Sequence, residues 1–191
     1  MKKTIFLLLF IFGFSIKVNA EINRIVSGQD DAKITIIAYE SLTCSFCADF
    51  HNKIYPLLKK EFIDAGLVKI EFRHFPLDII ALNASKISQC KQDQSLEIMM
   101  SLYSDQQAWI KGKTIEEANE NLRKFVENKN FNLDFEKCIS DKKIEDFVLN
   151  DRIEGAKNFK VNSTPTIIIN NKKFDKSLNY KNLKKTLEKL I

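Results

Sequence analysis

Two of the four cysteines in this chain, Cys44 and Cys47, stand three positions apart in the stretch Thr43-Cys44-Ser45-Phe46-Cys47. Three chemistries fit such a pair: a redox couple, half of a metal site, or two inert thiols on a buried helix. Residues three apart on a helix are surface neighbours, with Cβ atoms about 5–6 Å apart. A disulfide asks for Cα atoms about 4.4–6.8 Å apart, so this pair can close one. The free N–H groups and partial positive charge of a helix start favour an anion. A thiol placed there ionises with a pKa anywhere from about 3.5 to 7.5. A stabilised thiolate also leaves easily, which makes its disulfide the better oxidant.

The rival chemistries find less support. Zinc takes four ligands. The chain has no second CxxC, its only histidines are His51 and His74, and Cys90 and Cys138 lie 43 and 91 residues beyond Cys47. No metal site is expected. A metal-binding or chaperone-like module using the same thiols is the reading from a different class. Inert thiols fit poorly with export, because neighbouring thiols oxidise outside the cytosol.

Export is expected from residues 1–20. Lys2 and Lys3 form a basic start, an apolar run covers Ile5 to Phe14, and Val18-Asn19-Ala20 supplies a cleavage site. This is the layout of a secretory signal peptide. A membrane span needs about 20 apolar residues, and Lys17 interrupts this run. No cysteine follows the cut to carry a lipid anchor, so a periplasmic location is expected. Cleavage removes three lysines and no acids, and the net charge falls from +5 to +2. No dense basic block with interleaved aromatics remains, so no nucleic-acid partner is expected. All four cysteines lie in the mature part, a number that suits two disulfides.

The elements around the pair are readable. Residues 33–40, KITIIAYE, form a short β-branched, apolar run that predicts a buried strand. A helix follows from Phe46 to about Asp64, with Cys47, Phe50, Ile54, Leu57, Leu58 and Phe62 on its apolar stripe. Pro56 should kink it rather than end it, and Gly66 marks its exit. Residues 68–75 alternate as a second strand. Patterns from Leu77 to about Phe159 are helical. Thr114 with Glu117 makes a capping box, and a longer helix carries Ile144, Val148 and Phe159, with Gly155 as its weak point. Thr166 to Ile169 is a late strand, Asn170-Asn171 a tight turn, and Lys172 to Asp175 a short partner. A last amphipathic helix carries Tyr180, Leu183, Leu187 and Leu190. Without the helical block the order is βαβ followed by ββα, an α/β class with a small mixed sheet between helices. The βαβ crossover should be right-handed.

A second informative stretch is Ser163-Thr164-Pro165-Thr166, opening the late strand. Proline is disfavoured inside a sheet. At a strand start it can be cis or an ordinary trans residue, and the residues alone leave both open.

Strand, TCSFC, helix with Pro56, Arg73-His74-Phe75-Pro76-Leu77, a helical block and VNSTPTIII (Val161 to Ile169) together resemble the DsbA-like branch of the thioredoxin superfamily. The resemblance covers essentially the whole mature chain. It implies a thioredoxin-like fold, a central mixed β-sheet flanked by helices, with an inserted all-helical domain. The corresponding division is a signal peptide over 1–20, thioredoxin-like parts at 21–78 and 151–191, and the insert at 79–150. It implies that Pro165 is cis and lies, with Thr164, against the CxxC as a substrate-binding loop. It implies that Cys44 is the exposed nucleophile and Cys47 its buried partner. Thiol oxidation of reduced, unfolded exported proteins becomes the leading activity, with no bound cofactor. Reoxidation by a DsbB-like, quinone-linked membrane partner is implied too. A structural disulfide between Cys90 and Cys138 would brace the insert, as in some relatives.

The chain departs from the family pattern in two places. Ser45-Phe46 stands between the cysteines where the best-known oxidases have Pro-His, which points to a milder oxidant. The acid many relatives carry six residues before the first cysteine is Ala38 here, and Glu40 lies four before. Glu40 either takes over proton handling or is simply solvated. His74 reads as a packed core residue. Thirteen residues, Glu21 to Lys33, leave no room for a dimerisation domain, so a monomer is expected. The rival enzyme is a thiol reductase serving cytochrome or copper-site assembly.

Overall fold

The computed structural model describes residues 22–191. The expected signal peptide lies outside the described residues. Five strands form one mixed sheet in the order β1-β3-β2-β4-β5. They are β1 (Ile25–Ser27), β2 (Ile34–Glu40), β3 (Val68–His74), β4 (Thr166–Ile169) and β5 (Lys172–Lys173). β2 and β3 run parallel, and the other three pairings are antiparallel.

The central strand β2 is buried along nearly its whole length, as a strand covered on both faces must be. Its side chains alternate between two cores. Ile36 and Ala38 join the larger core beneath the helix of residues 45–63, while Ile37 and Tyr39 join a smaller one with Phe75, Val161 and Ile168. β3 alternates buried and half-buried positions, as its sequence predicts. Asn170 and Asn171 both adopt positive φ, 45° and 64°, the backbone that a tight hairpin turn demands.

β1 carries no sequence signal. It is only three residues long and pairs its edge with β3. Charge holds the strand pair and the late helix together. Arg24 reaches Asp151 and Glu154 on the Lys142–Phe159 helix and Glu71 on β3, and Arg73 pairs with Glu71 and Glu154. That helix runs unbroken through Gly155. A Cβ there would come within 2.6 Å of the Tyr39 ring, so the glycine lets the helix lie against β2.

The helix after β2 also runs through Pro56. It passes from α-helical turns at Ser45–Asp49 to wider turns at Phe50–Ile54, back at Tyr55–Leu58, and to wider turns again at Lys59–Ile63. The widened turns rotate the buried stripe away from the expected one. Leu57 is 41% exposed, while His51 and Tyr55 are buried in line with Cys47, Leu58 and Phe62.

The helices from Ile79–Cys90 to Phe135–Ser140 pack on this one and on one another. Asp78, Thr114, Asp134 and Asp141 cap helix starts by accepting N–H bonds. Glu117 accepts from the N–H of Lys113, one residue before the position a capping box uses.

Candidate active site

The strand-to-helix junction places Cys44 at the entrance of the 45–63 helix with extended backbone, φ −79° and ψ 119°. Cys44 is half-buried and Cys47, one turn on, is fully buried; both are free thiols. The Cys44 pKa falls from its usual 9.0 to about 5. The largest cause is a hydrogen bond from the Cys47 thiol, opposed by partial burial and aided by the Thr164 side chain and the N–H groups of Cys47 and Phe46. Burial pushes the Cys47 thiol strongly upward, and the nearby Cys44 and Glu40 add to it. One sulfur is therefore ionised at neutral pH, and its neighbour stays protonated and donates to it.

The Thr164–Pro165 peptide is cis. It brings the Thr164 carbonyl oxygen to 3.3 Å from Cys44 Sγ, where a protonated thiol donates to it. The Thr164 hydroxyl is buried with no hydrogen-bond partner at ordinary hydrogen-bonding distance. Beside these two loops lies a groove of about 610 Å³ lined by Phe46, Phe50, Ile54, Pro165, Leu178 and Tyr180. Phe46, between the two cysteines, is 72% exposed at its rim.

Glu40 is 3% exposed, so it is not a solvated end of its strand. Strand alternation turns it to the same face as Ile36 and Ala38, beneath the helix of residues 45–63. Its Oε2 lies 2.6 Å from His51 Nε2. Burial raises the Glu40 pKa, against the pull of His51. His74 is buried with its Nε2 3.2 Å from Gln89 Oε1.

Two site residues escaped the sequence reading. His51 carries a signal in hindsight: with Cys47 and Tyr55 it makes a four-residue spacing along one helix face. Gln106 carries none. It reaches from the helical block to donate to the carbonyl oxygens of Leu42 (2.8 Å) and Cys44 (3.1 Å).

Cys90 and Cys138 are bonded to each other, with Cα atoms 5.5 Å apart. The bond joins the Ile79–Cys90 and Phe135–Ser140 helices. Among the described residues, no group of three His, Cys, Asp or Glu side chains is placed to hold a metal ion.

Comparison with known proteins agrees with this geometry. A family model described as Thioredoxin matches residues 20–189. A putative protein-disulfide oxidoreductase of Rickettsia bellii is 27% identical over 161 residues, which span 82% of this chain and 61% of that protein. Disulfide bond formation protein D of Bacillus subtilis is 27% identical over 174 residues, 86% of this chain and 75% of that protein. Among solved structures, alpha-DsbA1 of Wolbachia pipientis superposes with a TM-score of 0.78 at 29% identity, covering 90% of this chain and 92% of that one. The chain belongs to the thioredoxin superfamily, in its branch of DsbA-like thiol:disulfide oxidoreductases.

Proposed function

We propose that this protein oxidises thiols of exported proteins in the periplasm, by exchange through the Cys44–Cys47 disulfide. The observation that carries this direction is the placing of Cys44 at the helix entrance beside the Thr164–Pro165 loop, with the Cys47 thiol as its donor, which together lower its pKa to about 5. Whatever stabilises the thiolate stabilises the reduced protein, and so makes the disulfide more oxidising.

In the reaction, a client thiolate attacks Cys44 Sγ. The bond to Cys47 breaks, and Cys47 leaves with the electron pair and takes up a proton. A second client thiolate then attacks the client sulfur of the mixed disulfide. Cys44 leaves as the stabilised thiolate, the client gains a disulfide, and the protein is left as a dithiol. Cys44 is the nucleophile of the return reaction, and Cys47 resolves it. An extended client beside Thr164 and Pro165 would bind through its backbone, with the Phe46 groove taking an apolar side chain. Glu40 handles the Cys47 proton. The Cys90–Cys138 bond braces residues 79–150, the inserted unit between the thioredoxin-like parts at 21–78 and 151–191. A membrane reoxidant of the DsbB kind, drawing on quinone, regenerates the disulfide, and the protein acts as a monomer.

The deciding measurement is the reduction potential of the Cys44–Cys47 couple. A value above about −180 mV is expected, whereas one near −270 mV would make the protein a reductase. Cys44→Ala should abolish oxidation of a reduced model client.

A further inference from the structure

The Glu40 carboxyl is tied down through one oxygen only. Oε2 lies 2.6 Å from His51 Nε2, while Oε1 is buried with no hydrogen-bond partner. At that separation one proton lies between the two atoms and fixes the carboxyl plane. An unpartnered oxygen inside a protein is costly to keep charged. Oε1 is therefore the atom on which a proton is best held and from which it is most readily passed on.

His51 is itself held on every side. Its Nδ1 lies 3.2 Å from Met100 Sδ. Its ring stacks on Tyr103 at 4.1 Å and an interplanar angle of 10°. Phe72 of β3 and Tyr55 of its own helix close the remaining sides, at 5.1 and 5.8 Å between ring centroids. The ring cannot swing away from Glu40 without breaking this packing. The titratable groups around it are Glu40 on β2, Tyr55 on its own helix and Tyr103 on the Ser95–Ser104 helix. Cys44 and Cys47 are the nearby thiols: the Cys44 charge raises the Glu40 pKa, and the Glu40 charge raises that of Cys47.

We propose that His51 is a positioning residue for thiol exchange: it anchors Glu40 through Oε2, so that Oε1 exchanges a proton with Cys47. The inference rests on the thiol-oxidase reading above. When a client thiolate attacks Cys44, the Cys44–Cys47 bond breaks and the electron pair goes to Cys47 Sγ. The proton on Glu40 Oε1 moves to that sulfur and leaves a carboxylate held by the His51 N–H. Reoxidation runs the transfer backwards: Glu40 takes the Cys47 proton as Cys47 attacks the mixed disulfide at Cys44.

The test is a single-turnover reduction of the Cys44–Cys47 disulfide by a reduced model peptide, followed from pH 4 to 9. It compares the parent protein, Glu40→Gln, His51→Leu, His51→Gln and the double variant Glu40→Gln/His51→Leu. General acid–base catalysis is worth about 100-fold or more, and losing only its alignment should slow His51→Leu by about tenfold. Its pH profile should move toward that of Glu40→Gln. His51→Gln, whose amide N–H can still donate to Oε2, should recover most of the rate. The double variant should be no slower than Glu40→Gln alone, because residues acting through one another are non-additive. Equal slowing by His51→Leu with and without Glu40 would overturn the proposal, as would an unchanged pH profile. If His51→Leu fails to fold, His51→Gln carries the test, and a rate as low as that of Glu40→Gln then refutes it. A parent that exchanges no thiols would instead refute the oxidase reading.

Discussion

Gln106 bridges Leu42 and Cys44, its one amide nitrogen donating to both carbonyl oxygens at 2.8 and 3.1 Å. The residue is buried and comes from the short Gln106–Trp109 helix, so the helical block holds the loop that carries Cys44. Gln106→Leu keeps the bulk and takes the donor from the Leu42 carbonyl, while the Cys44 carbonyl still accepts from the N–H groups of Cys47 and Ala48. A buried group left unpaired costs about 1–3 kcal/mol. Thermal unfolding should show a loss of that size, and thiol alkylation should show a higher Cys44 pKa than in the parent. An unchanged alkylation profile would mean that the loop is aimed without the insert.

Cys44 gives the protein a pH-dependent stability that only the reduced form can show. Its folded pKa is about 5 against an ordinary 9.0. Between these values the unfolded chain binds one more proton than the folded chain, so stability rises with pH. This contribution is fully present above the unfolded value and is lost as pH falls through about 5. The disulfide form has no such group. The gap in denaturation midpoint between reduced and oxidised protein should therefore shift in favour of the reduced form from pH 5 to pH 9. Thr164→Val removes a hydroxyl that helps to lower the thiol. It should raise the Cys44 pKa and shrink that gap, and denaturant titrations of both redox forms would read the change.

The Cys44–Cys47 pair was legible because its signals are local: an apolar strand, a short loop and a helix stripe, all within thirty residues. The Asn170-Asn171 turn was legible for the same reason. Glu40 was visible only as a residue of unknown orientation. Strand alternation assigns it to the face of Ile36 and Ala38, but its pairing with His51 depends on where the helix stripe falls. The widened turns at Phe50–Ile54 moved that stripe off Leu57 and onto His51 and Tyr55. Gln106 and β1 were not legible at all, since each depends on contacts with a distant segment rather than on any pattern of its own.

Cys90 and Cys138 tie the first helix of the helical block to a later one across 48 residues. A chain-entropy treatment gives about 4 kcal/mol for a loop of that length, an upper figure because unfolded chains keep some structure. Cys90→Ala/Cys138→Ala should lower the denaturation midpoint clearly while leaving thiol exchange by Cys44 near the parental rate. A variant as stable as the parent would show that helix packing alone holds the block.

Gly155 makes the closest approach between the Lys142–Phe159 helix and β2, 2.6 Å from a hypothetical Cβ to the Tyr39 ring. Alanine is normally the better helix former, by about 1 kcal/mol. Here the added methyl would force Tyr39 or the helix to move, and overpacking costs about 1–3 kcal/mol. Gly155→Ala should therefore destabilise the protein despite the gain in propensity, with no change in Cys44 alkylation. Greater stability on urea titration would show that the helix can slide.

Phe46 occupies a position that folding alone does not explain. It is 72% exposed between two cysteines and lines a groove together with Phe50, Ile54 and Pro165. An exposed aromatic beside an apolar groove suits a client side chain that covers both as the mixed disulfide forms. Phe46→Ser should slow oxidation of a cysteine peptide with apolar flanking residues by about tenfold, equivalent to about 1.4 kcal/mol of lost contact. Oxidation of dithiothreitol, which is too small to reach the groove, should change little. The ratio of the two rates is the decisive quantity, because a change in the redox couple itself would move both together, whereas loss of a client contact moves only the first.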